Sequence, residues 1–194
     1  MAQYEVKICG LTRREDVEFS AECGAHFAGF VLYPDSKRHV SPERLAELTR
    51  GLAGIRKVGV FVDASLDEIR RAAELGNLDV VQLHGHESAD FARSIDFAEV
   101  WKAAYDPDFP AARLVCDAPQ GGSGLPGDRA AAAKLAKVRT VMLAGGITPF
   151  NAAELLKLVR PAGIDLASGV ESSPGIKDRE KIRTLFQQLK GLEI

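Results

Sequence analysis

Eight short apolar runs, each followed by a polar or helix-forming stretch, recur along this chain of 194 residues. They cover residues 4–9, 26–32, 56–62, 79–84, 99–104, 113–117, 140–144 and 163–167. Most are rich in Val, Ile, Leu and Phe and are bounded by Gly, Asp or Pro, which reads as strands. Helix patterns lie between them. "TRREDVEFSAECG" places Thr12 as N-cap and stops on Gly24. "SPERLAELTRG" has Ser41 as N-cap, Pro42 at the first helical position and Gly51 as stop. "SLDEIRRAAELG" opens on a capping box of Ser65 and Glu68. "TPFNAAELLKLV" starts on Thr148, and "KDREKIRTLFQQL" is the last helix pattern. Strands alternating with helices imply right-handed crossovers and a parallel sheet.

Eight units in this length allow about 24 residues each, tight for a closed barrel, which typically needs ~250 residues. The connection over residues 105–112 holds Pro107 and Pro110 and is too short for a crossover helix, so it is expected to be a loop. The rival is an open doubly wound sheet. Closure is favoured because chemistry-bearing residues recur at strand C-termini along the whole chain, whereas an open sheet concentrates them near its switch point. The expectation is a single (β/α)8 TIM barrel domain over residues 1–194, with the connection between strands 5 and 6 lacking a full helix.

Composition narrows the partners. The formal net charge is −2, with no basic excess, which argues against a nucleic-acid ligand. Three cysteines without CxxC spacing argue against a disulfide framework or a zinc ribbon. The opening "MAQYEVKICG" lacks a basic segment followed by a long apolar one, so no signal peptide is expected. No apolar run approaches the ~20 residues that cross a bilayer. A cytoplasmic protein with no membrane partner is the expectation.

In a parallel barrel the reactive face lies at the strand C-termini. Cys9 ends the first strand, and side-chain alternation puts Lys7 on the same face. A nearby ammonium favours thiolate; taken alone, such a cysteine is more often an inert small hydrophobe. Asp117 ends strand 6 before a glycine-rich loop and is an acid–base candidate, against the blander role of a turn aspartate. Gln82 and His84 share a face at the end of strand 4. Arg38, after strand 2, could clamp a carboxylate bidentately or belong to a solvated charge cluster. Asp165, in the strand that meets strand 1 on closure, is the natural partner of Lys7. Small-residue segments follow strands 6, 7 and 8: "GGSG" at 121–124, "AGGI" at 144–147 and "ASGVESSPG" at 167–175. Loops after strands 7 and 8 are the usual phosphate site of this barrel, and backbone N–H groups can hold a dianion without a basic residue.

The ordered set "VKICGLT", "GFVLYPDSKRHVS", "VGVFVD", "VQLHGHE", "CDAPQGGSG", "LAGGI" and "IDLASGVESSPGIKDREKI" resembles phosphoribosylanthranilate isomerase, a family of tryptophan biosynthesis. The resemblance covers nearly the whole chain. It implies a barrel that carries out an Amadori rearrangement of N-(5′-phosphoribosyl)anthranilate without a cofactor or metal. It implies Cys9 as general base, Asp117 as general acid, Arg38 beside the anthranilate carboxylate, and Gly145, Gly146, Ser168 and Gly169 around the phosphate. Lys7, Gln82, His84 and Asp165 would support them. The expected partner is a small phosphosugar, and the family includes monomers and homodimers. The text after GGSG departs from the family, with Leu125 and Pro126 where a lysine and aromatic residues are common. Two other readings of the residues remain: a phosphosugar aldolase or epimerase using Lys7 as a Schiff-base amine, and a phosphometabolite-binding barrel without turnover.

Overall fold

The computed structural model describes residues 4–118 and 125–192. The eight apolar runs become eight parallel strands: β1 Glu5–Ile8, β2 Phe27–Val31, β3 Arg56–Phe61, β4 Val80–Leu83, β5 Glu99–Ala103, β6 Arg113–Cys116, β7 Val141–Leu143 and β8 Gly163–Leu166. Each pairs with the next, and β8 pairs with β1 to close the barrel. The helices are α1 Arg14–Glu22, α2 Pro42–Thr49, α3 Leu66–Gly76, α4 Ala89–Arg93, α5 Arg129–Leu135, α6 Ala152–Val159 and α7 Arg179–Leu189. After β8 comes one 3-10 turn, Ser168–Val170, and a small antiparallel hairpin, β9 Glu171–Ser173 with β10 Ile176–Lys177. Among the described residues no helix is long and apolar enough to cross a membrane. The glycine-rich run at 121–124 lies outside the described residues.

Alternation along each strand divides the core in two. Val6, Ile8, Ala28, Phe30, Val81 and Leu83 face outward and pack under the helices. Phe27, Val58, Val80, Trp101, Val115 and Met142 point inward and fill the barrel. A layer of charge sits beside this plug at the N-terminal end. Arg113 forks to Glu5, lies 3.6 Å from Glu99, and stacks 5.2 Å from the Phe27 ring and 5.0 Å from Trp101. The bottom of the barrel is therefore filled and the chemistry is left to the other end.

The β5–β6 connection has no helix, as its prolines require. Arg139 satisfies backbone groups that a helix would otherwise have paired. Its guanidinium donates to the carbonyls of Pro107, Phe109 and Ala111. Ser41 and Ser65 cap α2 and α3 as their sequences predict, and the Ser65–Glu68 box is complete.

Two expected caps differ. Thr12 does not cap α1, which begins after Arg13 without a side-chain cap. The Thr12 hydroxyl instead donates to the carbonyl of Gly175 at 2.5 Å, which ties the hairpin to the first strand's loop. Thr148 does not open α6. That helix starts after Asn151, whose Oδ1 accepts from the Thr148 N–H at 2.8 Å. The short helices α4 and α5 lack a strong apolar period and have no clear signature in the sequence.

Ser65→Ala removes the hydroxyl half of the α3 box, the bond from the Glu68 N–H, and leaves the bond from the N–H of residue 65 to the Glu68 carboxylate. It should lower stability by about 1 kcal/mol in urea unfolding without altering the barrel's circular dichroism.

Candidate active site

The C-terminal mouth of the barrel holds a cavity of about 550 Å³. Its lining brings together Cys9, Arg38, Gln82, His84, Asp117, Gly145, Gly146, Asp165 and Ser168. Lys7 lies beneath, fully buried. Gly169 sits behind the wall, where a Cβ would fall 1.9 Å from the carbonyl oxygen of Ile147, so only glycine fits there.

Strand parity explains the convergence. Lys7 and Cys9 both face inward, and Lys7 is in register with Asp165 across the closing seam. Its ammonium meets Asp165 Oδ2 at 2.7 Å. Burial works against the charge on Lys7, but Asp165 and Cys9 together hold its pKa above the usual range. A Schiff-base amine must reach the substrate as a free base; this one is walled in and protonated, which removes the aldolase reading.

Cys9 is fixed by its backbone. Its N–H donates to the carbonyl of Leu166 at 2.8 Å, and its carbonyl accepts from Lys177 Nζ at 2.6 Å. Gly29 lies alongside on β2, where a Cβ would sit 2.9 Å from Cys9 Sγ. From sequence, Lys7 is expected to raise the thiolate fraction. In the structure burial pushes the Cys9 thiol up, and Lys7 pulls it back only in part because Asp165 opposes the pull. The resting group is a thiol.

Asp117 stands one residue past β6. Burial raises its pKa, partly offset by the Ala118 N–H that bonds Oδ1 at 2.7 Å and by His84, whose Nε2 is 3.7 Å from Oδ2. Burial lowers the pKa of His84, and the Asp117 carboxylate opposes that shift. Gln82 Nε2 is 3.2 Å from His84 Nδ1. The carboxyl presses on Gly145, where a Cβ would meet Oδ1 at 2.7 Å. Gly145 also has φ +75° and Gly146 φ +62°, a turn that favours glycine twice over.

Two charged residues in this region escape a reading of the sequence alone. Glu171 and Lys177 are buried and face each other across the hairpin at 2.8 Å. Glu171 also accepts a fork from Arg38, at 2.9 Å from Nε and 2.7 Å from Nη2. Although burial works upward on Glu171, Arg38 and Lys177 hold it below the usual carboxylate range. A signal is present: Pro174-Gly175 reads as a hairpin turn, which sets Glu171 and Lys177 opposite each other.

The chain matches the family model for N-(5′-phosphoribosyl)anthranilate (PRA) isomerase over residues 6–188. It belongs to the phosphoribosylanthranilate isomerase family. The relative from Geotalea uraniireducens is 40% identical, over 97% of this chain and 99% of that one. A phosphoribosylanthranilate isomerase structure from Thermus thermophilus superposes with a TM-score of 0.92 at 42% identity, covering 97% of this chain and all of the other. A second isomerase structure was solved in complex with reduced 1-(o-carboxyphenylamino)-1-deoxyribulose 5-phosphate. It gives a TM-score of 0.89 at 34% identity, over 98% of this chain and all of that one.

Lys7→Met leaves the buried Asp165 carboxylate unpaired and should cost about 3–5 kcal/mol in denaturant unfolding. The double change Lys7→Met with Asp165→Leu should recover most of that loss, because neither charge then remains.

Proposed function

We propose that this isomerase works on N-(5′-phosphoribosyl)anthranilate with Asp117 as general acid and Cys9 as general base. The observation that carries the reading is that both groups line one cavity with the glycine turn after β7. Protonated Asp117 gives its proton to the ribose ring oxygen as the C1–O bond breaks. The anthranilate nitrogen supplies the electron pair and becomes an iminium. The iminium acidifies the C2 proton, which the Cys9 thiolate removes, and the electrons form an enolamine. Proton return to C1 and ketonisation at C2 give 1-(2-carboxyphenylamino)-1-deoxyribulose 5-phosphate. C1 is reduced and C2 oxidised within one molecule, so the electrons balance without an external redox partner.

The electrostatics favour the acid more than the base. Burial shifts Asp117 toward its protonated form, the direction a general acid requires. The same effect makes the Cys9 thiolate a minor form that lies next to an ammonium when it appears. Two buried acceptors of the lining, Gln82 Oε1 and Asp165 Oδ1, have no protein partner among the described residues. A sugar with several hydroxyl donors suits them. Arg38 spends its Nε–Nη2 edge on Glu171, so its Nη1 end is the edge available to an anthranilate carboxylate. The N–H groups of Gly145, Gly146, Ser168 and Gly169 supply a neutral cradle for the phosphate.

The test is the decay of anthranilate fluorescence with purified protein and freshly made phosphoribosylanthranilate. Asp117→Asn and Cys9→Ser should each lower kcat by ~10²–10⁴-fold with the fold intact. Wild-type turnover in either variant would remove that residue from its role. The wild-type pH profile should be bell-shaped. Loss of the acid in Asp117→Asn should abolish the fall at high pH, and loss of the base in Cys9→Ala should abolish the fall at low pH. Arg38→Ala should raise KM by about ten-fold through loss of a charged hydrogen bond, with a smaller effect on kcat.

A further inference from the structure

The turn after β7 is held from behind by a residue that the mechanism above does not use. Arg129, the first residue of α5, is half-buried. Its Nη1 donates to the carbonyl of Ala144 at 2.7 Å, and its Nη2 donates to the carbonyl of Gly145. Asn151 continues the row, with Nδ2 donating to the carbonyl of Gly146 at 2.9 Å. Three successive carbonyls are thus drawn outward by side chains.

A trans peptide unit is planar, with its N–H opposed to its C=O. Drawing out the carbonyls of Ala144, Gly145 and Gly146 therefore turns the N–H groups of Gly145, Gly146 and Ile147 the other way. That way is the cavity, which all three residues line. None of the three N–H groups donates to a protein acceptor among the described residues. The positive φ at Gly145 and Gly146, which glycine adopts freely, lets two consecutive peptide units take this orientation.

From this geometry we infer that Arg129, seconded by Asn151, is a positioning residue for the phosphate site. It acts through the backbone, by fixing the orientation of three main-chain donors. The inference rests on the phosphate reading above and adds what sets up that site. The guanidinium spans two adjacent carbonyls with two nitrogens, which a single ammonium cannot reproduce. Without the fork, the peptide units on either side of two glycines are free to rotate and the donors lose their common aim.

The test uses inorganic phosphate as a competitive inhibitor of the turnover assay, with KM and kcat measured alongside. Wild-type enzyme should be inhibited. Arg129→Met should raise both the phosphate inhibition constant and KM by about ten-fold, the effect expected when hydrogen bonds to a charged group are lost. Its kcat should change by less, and the pH limit set by Cys9 should not move, while the limit set by Asp117 should move up because the Arg129 charge that favours its carboxylate is gone. Arg129→Lys keeps the charge and loses the fork, so it should recover only part of the affinity. Asn151→Leu, which releases the third carbonyl, should act in the same direction and serves if the arginine variants fold poorly. A wild-type enzyme insensitive to phosphate would overturn the phosphate reading itself. A sensitive wild type with unchanged inhibition in Arg129→Met and Asn151→Leu would overturn only the role given to these two side chains. Full recovery in Arg129→Lys would show that charge, not orientation, is what the residue supplies.

Discussion

The first and last strands of the barrel meet over a buried ion pair, and both the closure and the chemistry depend on it. Lys7 and Asp165 are level across the seam between β1 and β8, with 2.7 Å between Nζ and Oδ2. Bringing two charges out of water is costly, so the pair is a poor source of net stability. Its effect is on register. A slip of one residue would turn Lys7 into the helix layer and leave Asp165 alone inside. The same slip would turn Cys9 outward. Correct closure and a correctly aimed thiol are thus one geometric condition, imposed by strand alternation.

The pair also shapes the electrostatics above it. Two groups at the mouth are desolvated, and both are pushed toward their protonated forms. For Asp117 that suits the acid role proposed for it. For Cys9 it works against a base, and the Lys7 charge beneath is the compensation, shared between thiolate and Asp165. A more generous supply of positive charge would favour the thiolate but would also draw the proton from Asp117. The site has one environment for two opposed requirements, and the shared lysine is a compromise between them.

The barrel is largely legible in the sequence because its signals are local. Strand composition, bounding glycines and the proline-broken 105–112 segment each speak for themselves. Strand parity then aligns Lys7, Cys9, Gln82, His84, Asp117 and Asp165 toward a common centre, and the structure places them there. What sequence does not resolve is competition between local and distant partners. Thr12 and Thr148 look like caps from sequence, but a carbonyl across the molecule claims the first and Asn151 displaces the second. The tie between Arg38 and Glu171 spans 133 positions and has no local signature. Arg129 carries no sequence signal for its bonds to the carbonyls of Ala144 and Gly145. The short helices α4 and α5, of five and seven residues, are too brief to show a period.

A chain of net charge −2 with a dianionic substrate has to place its positive charge with care. Several cations at the site are already engaged, Lys7 with Asp165, Arg38 and Lys177 with Glu171, and Arg129 with main-chain carbonyls, while Lys37 also lines the cavity. In the proposed reading the phosphate tail falls to oriented N–H groups. That arrangement suits an isomerase, because substrate and product carry the same phosphate. A contact made equally in ground state, transition state and product anchors the molecule without lowering the barrier between them. Strong, bare cations there would slow product departure as much as they aided capture. Rate acceleration must come from groups whose interactions change during the reaction, which in the proposed mechanism are Asp117 and Cys9, elsewhere in the cavity. The mouth of the barrel therefore separates two roles in space. On the proposed reading a neutral, geometrically fixed grip follows β7 and β8, while the acid and base stand at the ends of β6 and β1.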